Sequence, residues 1–356
     1  MQLKEAPDPP VGYEAPAPPR RLTWTEGAAY GVIAILLVFV LFRHLVSGLV
    51  AGLALYLILE GLSSFFSRHL PRRSARPLAL ILVTLLGAGA VGGGVTLLIS
   101  FGRHHAGRIP ALMTKMADIL QSTRAWLGGY GEELIPEVMG DAETLRIAMV
   151  GWLKLHAAGI RGFGGSFSMA LVHIFMGILL AILVFFRHVR STSAPKGRLA
   201  AALVEQVDRF THAFGRIATA QIKISAVNTA LTAFYLLGLL PLFGRRLPFS
   251  TTIVMVTFIC GLIPVLGNLV SNTVIVILSL GVSPGTAIAS LVFLILIHKL
   301  EYLTNSRIVG GQTNSQAWEI LLAILLGETA FGVSGVVMAP IIYAYVKREL
   351  REWGLV

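Results

Sequence analysis

With 55% of its 356 residues hydrophobic and only 13% charged, the chain falls outside the soluble globular class, in which about a quarter of residues carry charge. Its formal net charge of +11 sits in loops between apolar runs, which encodes membrane topology rather than a phosphate footprint, so no nucleic-acid partner is expected. The single cysteine, Cys260, excludes an intrachain disulfide and a cysteine metal cluster.

Six prolines among the first 22 residues leave too little apolar surface to fold, so residues 1–23 are expected to form a disordered cytoplasmic tail. The first spanning run extends from Trp24, an interfacial anchor, to Phe42. Arg43-His44 turns the chain into a second span, Leu45 to Phe66, where Gly48 and Gly52 form a GxxxG pair suited to close helix approach. The third span, Pro77 to Phe101, is uncharged and carries Gly87, Gly89, Gly92, Gly93 and Gly94, a pattern for a helix contact or a bend. Spans 1–3 thus fill residues 24–101.

Residues 102–165 break the pattern with seven basic and six acidic residues. The spacing of Leu112, Met116, Ile119 and Leu120 predicts an amphipathic helical insert outside the cytoplasm. Spans 4–8 are expected over 166–346, beginning with Ser166 to Phe186. Leu199, Leu203, Val207, Phe210, Phe214 and Ile217 recur at helical spacing and predict a cytoplasmic amphipathic helix over 197–217, on the membrane or against the bundle. Span 5 follows from Ala218 to Leu240.

Residues 249–280 hold 32 uncharged residues, about 48 Å as one straight helix against a hydrocarbon core of roughly 30 Å. The sequence from Gly261 to Asn268 supplies the break, and this broken sixth span is read as one crossing. Span 7 runs from Gly285 to Ile297, span 8 from Glu319 to Val346, and a basic cytoplasmic tail over 347–356. The fold expected is an all-α, polytopic integral membrane bundle of about eight transmembrane helices. Counting Lys and Arg in short loops gives sixteen inside and five outside when both ends are cytoplasmic.

The C-terminal third resembles the AI-2E (autoinducer-2 exporter-like, formerly PerM permease) family of bacterial membrane proteins. Residues 261–267, GLIPVLG, are similar to its Pro-x-x-Gly break, and residues 307–311, RIVGG, to its short glycine-containing stretch. Residues 325–340, LLGETAFGVSGVVMAP, resemble its C-terminal motif. The chain departs from the pattern at Asn305-Ser306, around Gln316-Ala317-Trp318, and at Glu328, where a second glycine is common. The resemblance implies a transporter or exporter of the bacterial cytoplasmic membrane, without ATPase and homo-oligomeric. Its members have been linked to autoinducer-2 export and, in one branch, to sodium–proton exchange.

From the residues themselves, the broken span is the leading candidate site. Pro264 removes a helical hydrogen bond, while Gly261 and Gly267 permit unusual backbone angles. Backbone groups freed at membrane depth persist only when buried in protein or facing a water-filled cavity. Such discontinuous helices often form substrate sites in transporters. Asn268 and Asn272 share a face beside the break, and Gln221 and Asn228 add polar groups from span 5. The competing reading is a packing kink whose amides bond neighbouring helices. Glu328, an acid inside span 8, is the candidate ion-coupling residue; placement near the outer interface is its alternative. Lys223 is read as snorkelling and His173 as a core histidine.

No GxxxxGK[ST] or HExxH motif occurs, so no ATPase, enzyme, cofactor or metal site is expected. The expected function is secondary transport or export of a small polar solute across the lipid bilayer. A non-transporting envelope scaffold built on the 102–165 region is the alternative.

Overall fold

The computed structural model describes residues 23–105, 157–190, 197–262, 266–313 and 316–355, with isolated positions between 118 and 155. The proline-rich tail, most of the 102–165 insert and Pro264 lie outside the described residues. Among the described residues every regular element is a helix. Five are long and apolar enough to cross a membrane: Trp24–Phe42, Val46–Phe66, Arg73–Gly94, Gly165–Arg187 and Arg198–Leu242. The expected all-α membrane bundle is therefore what the chain builds.

Helix α1 (Trp24–Phe42) starts on a capping box, with Thr23 and Glu26 each bonding the other's backbone N–H. Arg43 and His44 make the expected tight turn, His44 with φ 54°, and α2 (Val46–Phe66) returns. Helices α3 (Arg72–His105) and α4 (Ala157–Arg190) each run 34 residues, about 51 Å, so both extend past a bilayer into the region assigned to the insert. The Gly48/Gly52 pair meets α4. A Cβ on Gly48 would lie 2.5 Å from the His173 carbonyl, and one on Gly52 would lie 2.9 Å from that of Gly177. The α3 glycines 87, 89, 92, 93 and 94 have no atom within 4 Å of an added Cβ, so among the described residues they make no close contact.

Helix α5 (Arg198–Ala233) continues through a π-helical turn, Phe234–Leu239, to Leu242. Pro241 has no N–H to give and crowds the carbonyl four residues back, which the wider turn relieves. The expected surface helix over 197–217 and span 5 are thus one rod of 45 residues, about 68 Å long. Its buried face is Ala202, Gln206, Phe210, Ala213, Ile217, Ala220 and Ile224. Phe210, Phe214 and Ile217 of the predicted stripe are on the buried side, whereas Leu199 and Val207 are exposed.

The C-terminal part differs from the sequence reading in where the chain reverses and in the length of the helix between the two reversals. The 249–280 stretch is broken as expected, into α6 (Ser250–Gly261) and α7 (Leu266–Leu280), but the two helices fold back on each other. A Cβ on Gly267 would collide with the Cys260 carbonyl at 1.7 Å, so the helices touch at this end. At the other end Ile253 and Ile275 share a core cluster with Leu247. Helix α8 (Pro284–Thr313) follows. The expected eighth span is also two helices, α9 (Ala317–Phe331) and α10 (Val333–Glu352), reversed at Gly332. Gly332 has φ 61° and ψ −142°, a conformation that only glycine adopts readily. Gly327 and Gly335 meet backbone to backbone just beyond it. A sequence read by hydropathy alone joins such arms into one crossing, because each is apolar and the turn carries no charge.

Candidate functional site

The long rod α5 positions both hairpins. Gln221 donates Nε2–H to the Gly261 carbonyl at 2.7 Å, and one turn later Ser225 donates Oγ–H to the Phe258 carbonyl at 2.7 Å. These are carbonyls in the last turn of α6, which the helix itself leaves unpaired. At the opposite end of this hairpin, the hydroxyls of Ser279, Ser290 and Tyr235 form a buried chain with links of 2.6 Å and 2.8 Å. Tyr235 also stacks on Phe293, ring centroids 3.9 Å apart. The α6–α7 hairpin therefore lies along the C-terminal half of α5, its closed end at Gln221.

The α9–α10 hairpin lies along the other half. Phe210 meets Tyr345 at 5.6 Å between ring centroids, and Phe214 and Ile217 share a core cluster with Ile341 and Met338. Helix α10 thus runs antiparallel to α5, and Phe331, next to the Gly332 reversal, packs on the same cluster as Ala218. The two closed ends reach one stretch of α5, residues 217–225, from opposite directions.

A seam of uncharged polar residues runs from this meeting point. Ser225, Asn228, Thr232, Thr257, Ser271 and Ser279 are all buried, and Thr229 Oγ1 is buried with no hydrogen-bond partner among the described residues. The sequence reading named Gln221, Gly261, Gly267 and Asn228, and the structure gathers them here. Asn272 is half-buried on α7, beside buried Ser271, while the side chains of Pro264 and Asn268 are outside the described residues. Glu328 stands apart: it is exposed on α9, and its carbonyl accepts the Gly332 N–H at 2.7 Å. Lys223 is exposed and His173 half-buried.

Sequence reasoning missed the buried acid. Glu349 is 5% exposed and accepts from Arg209 at 2.9 Å and from the Tyr30 hydroxyl at 2.5 Å. Arg209 also binds Glu205 at 2.7 Å and Glu352, while Tyr345 donates to Gln206 at 2.6 Å. Burial opposes the charge on Arg209, and the hydrogen bonds it donates to Glu205 and Glu349 favour it. Burial works against the Glu352 carboxylate, yet Arg348 and Arg209 hold it below the ordinary range. The signal was present in sequence: Gln206 and Arg209 sit on the buried face of an otherwise regular amphipathic helix.

Residues 31–354 match the AI-2E transporter family. The chain belongs to this family. It is also 26% identical over 142 residues to "Putative transport protein YdbI" of Bacillus subtilis (strain 168), a match covering 39% of this chain and 38% of that protein. The AI-2E assignment makes the chain a multi-pass membrane protein of a transporter family.

Proposed function

We propose that this AI-2E family member is a secondary transporter that moves a small polar solute past the stretch of α5 where the two hairpins meet. The observation that carries the reading is the pair of bonds from Gln221 and Ser225 to the Gly261 and Phe258 carbonyls. They tie a helix break to a buried polar seam, as expected where non-helical backbone borders a solute path. Neither hairpin arm of α6–α7 is long enough alone: 12 and 15 residues reach about 18 and 22 Å, short of a core of roughly 30 Å.

Both hairpins are therefore read as re-entrant, one from each side, with α1, α2, α3, α4, α5 and α8 crossing. This keeps both termini cytoplasmic in the bacterial inner membrane. It also moves Lys299 and Arg307 from the outside to the inside, so the loop count improves from sixteen against five to eighteen against three.

The test is transport. Membrane vesicles containing the chain, compared with vesicles lacking it, should exchange at least one small polar metabolite faster, and Gln221→Ala should remove the difference. The scaffold reading has one observation in its favour, the exposure of Glu328 away from the seam. It requires that no metabolite distinguish the two vesicle preparations. The ion-coupled branch of the reading is tested through Glu328 below.

A further inference from the structure

Helix α2 carries a neighbour on each side. Helix α4 lies parallel to it, through the Gly48–His173 and Gly52–Gly177 contacts and then through buried Ala181 and Phe185. Helix α3 packs on it through its first turns, where Ala75 and Ala79 are fully buried. Arg76 reaches from one neighbour to the other. Its Nη1 donates to the Phe185 carbonyl at 3.3 Å, and its guanidinium lies over the Phe185 ring, 5.2 Å from the centroid. Past this bridge α3 draws away. On the helical face of Arg76, Leu80 and Val83 are half-buried, but an added Cβ on Gly87 meets nothing within 4 Å. Helices α3 and α4 therefore diverge from Arg76 toward the middle of the membrane, with α2 between them.

The mouth of this gap is basic and uncompensated. Arg73, one turn before Arg76 and on the same face, is exposed, as is Arg68 in the preceding turn. Among the described residues no carboxylate forms an ion pair with any of the three. Glu60 of α2 is exposed and lies beside Tyr56. Arg76 gives one of its N–H donors to Phe185, out of the five a guanidinium carries. It stands just before the apolar run that starts at Pro77, the level at which lipid headgroups meet a spanning helix. A guanidinium held flat on a ring, with donors left over, suits the paired oxygens of a phosphodiester.

We propose that the gap between α3 and α4 is a binding site for an anionic phospholipid. Arg73 and Arg76 hold its phosphodiester, Arg68 adds charge at the rim, and an acyl chain lies along α2 between the two helices. A free phosphate ion would meet the same arginines but leave the apolar gap beneath them unfilled, so the lipid is the occupant that fits the whole site. The site stands on the α2, α3 and α4 contacts and is independent of the solute path, so its failure would leave the transport reading standing.

Native mass spectrometry of the full chain, released from detergent with added lipid, tests the site. Phosphatidylglycerol should remain bound where phosphatidylcholine with the same acyl chains dissociates. Arg73→Gln and Arg76→Gln should each weaken phosphatidylglycerol retention several-fold and leave phosphatidylcholine unchanged. Arg246→Gln, which removes an exposed charge from the loop before α6, should change neither. Because Arg76→Gln also removes the bridge to α4, its melting temperature in phosphatidylcholine nanodiscs is measured alongside, and Arg73→Gln decides where that temperature falls. Equal retention of the two lipids, or an equal loss in Arg246→Gln, overturns the site. Inorganic phosphate that displaces phosphatidylglycerol as readily as excess lipid does would overturn the lipid as its occupant.

Discussion

Gln221 and Gly261, forty residues apart in the chain, are joined by a 2.7 Å hydrogen bond from amide to carbonyl. The bond places the end of a broken helix against the middle of the longest rod in the fold. It converts a break that hydropathy reads as a kink into a hairpin end with an address on α5. The hairpin's direction along α5 and its place beside the polar seam follow from that address.

Glycine substitutions at this end test the packing directly. An added Cβ at Gly267 would sit 1.7 Å from the Cys260 carbonyl, a backbone atom with nowhere to go, whereas at Gly261 it meets the Ser225 hydroxyl at 2.6 Å. Gly267→Ala should cost more than about 3 kcal/mol and Gly261→Ala about 1 to 2 kcal/mol, as overpacking does. Thermal unfolding in detergent should rank them in that order. Equal, wild-type melting temperatures for both would contradict the close crossing.

The Arg209 cluster predicts a different effect. Arg209→Ala leaves Glu349 buried with its charge uncompensated, a loss of about 3 kcal/mol, and adding Glu349→Gln should recover part of it. The Glu352 carboxyl lies below its ordinary pKa in the folded chain, so its contribution is complete above the unfolded value near 4.5 and disappears as pH falls through the lowered one. Glu352→Gln should therefore melt below the parent protein at neutral pH, and the two curves should converge in acid. A gap that widened on acidification would reverse the sign of the argument.

Topology separates the two-hairpin arrangement from single crossings. Reporter fusions after Arg76 and Arg351 should register cytoplasmic in either case. The discriminating sites are Ser283, which two re-entrant hairpins place outside, and Gln316, which they place inside. A cytoplasmic signal at Ser283 with an external one at Gln316 would restore the one-crossing reading of 249–280.

How much of this was legible in the sequence follows from what hydropathy measures. Apolar length located α1, α2 and α4, and the Gly48/Gly52 spacing named a contact that α4 makes through Gly177. The Pro264 break was visible because proline and glycine act locally. Chain reversal was not, since the Ile253–Ile275 cluster and the Gly327–Gly335 contact depend on residues far apart that carry no charge to mark the turn. The exposed α3 glycines show the converse: a small-residue stripe signals the capacity for contact, not the contact. Glu349 was hidden among basic neighbours, and its burial depends on Arg209 and Tyr30 arriving from other helices.

Glu328 offers the test of ion coupling. It lies on the exposed face of α9, one turn before Gly332 and apart from the seam. Glu328→Gln keeps the shape and hydrogen-bonding capacity while fixing the charge at zero. If Glu328 carries the coupling ion, the variant should assemble normally yet lose the dependence of flux on an imposed pH or sodium gradient. Unchanged gradient dependence in reconstituted vesicles would remove the residue from the coupling mechanism.

The central claim is that the end of the α6–α7 hairpin at Gln221 borders the solute path, and a metabolite comparison tests it most directly. Cells producing the chain, its Gln221→Ala variant at equal membrane abundance, or no chain would be compared for small polar metabolites inside and in the medium. The structure predicts at least one metabolite whose distribution shifts with the parent chain and returns at least about tenfold toward the empty-cell level in the variant, an effect on the scale of a buried bond lost at about 1.4 kcal/mol per decade. A metabolite moved equally well by Gln221→Ala would contradict the placement of the path, and no shifted metabolite at all would contradict transport.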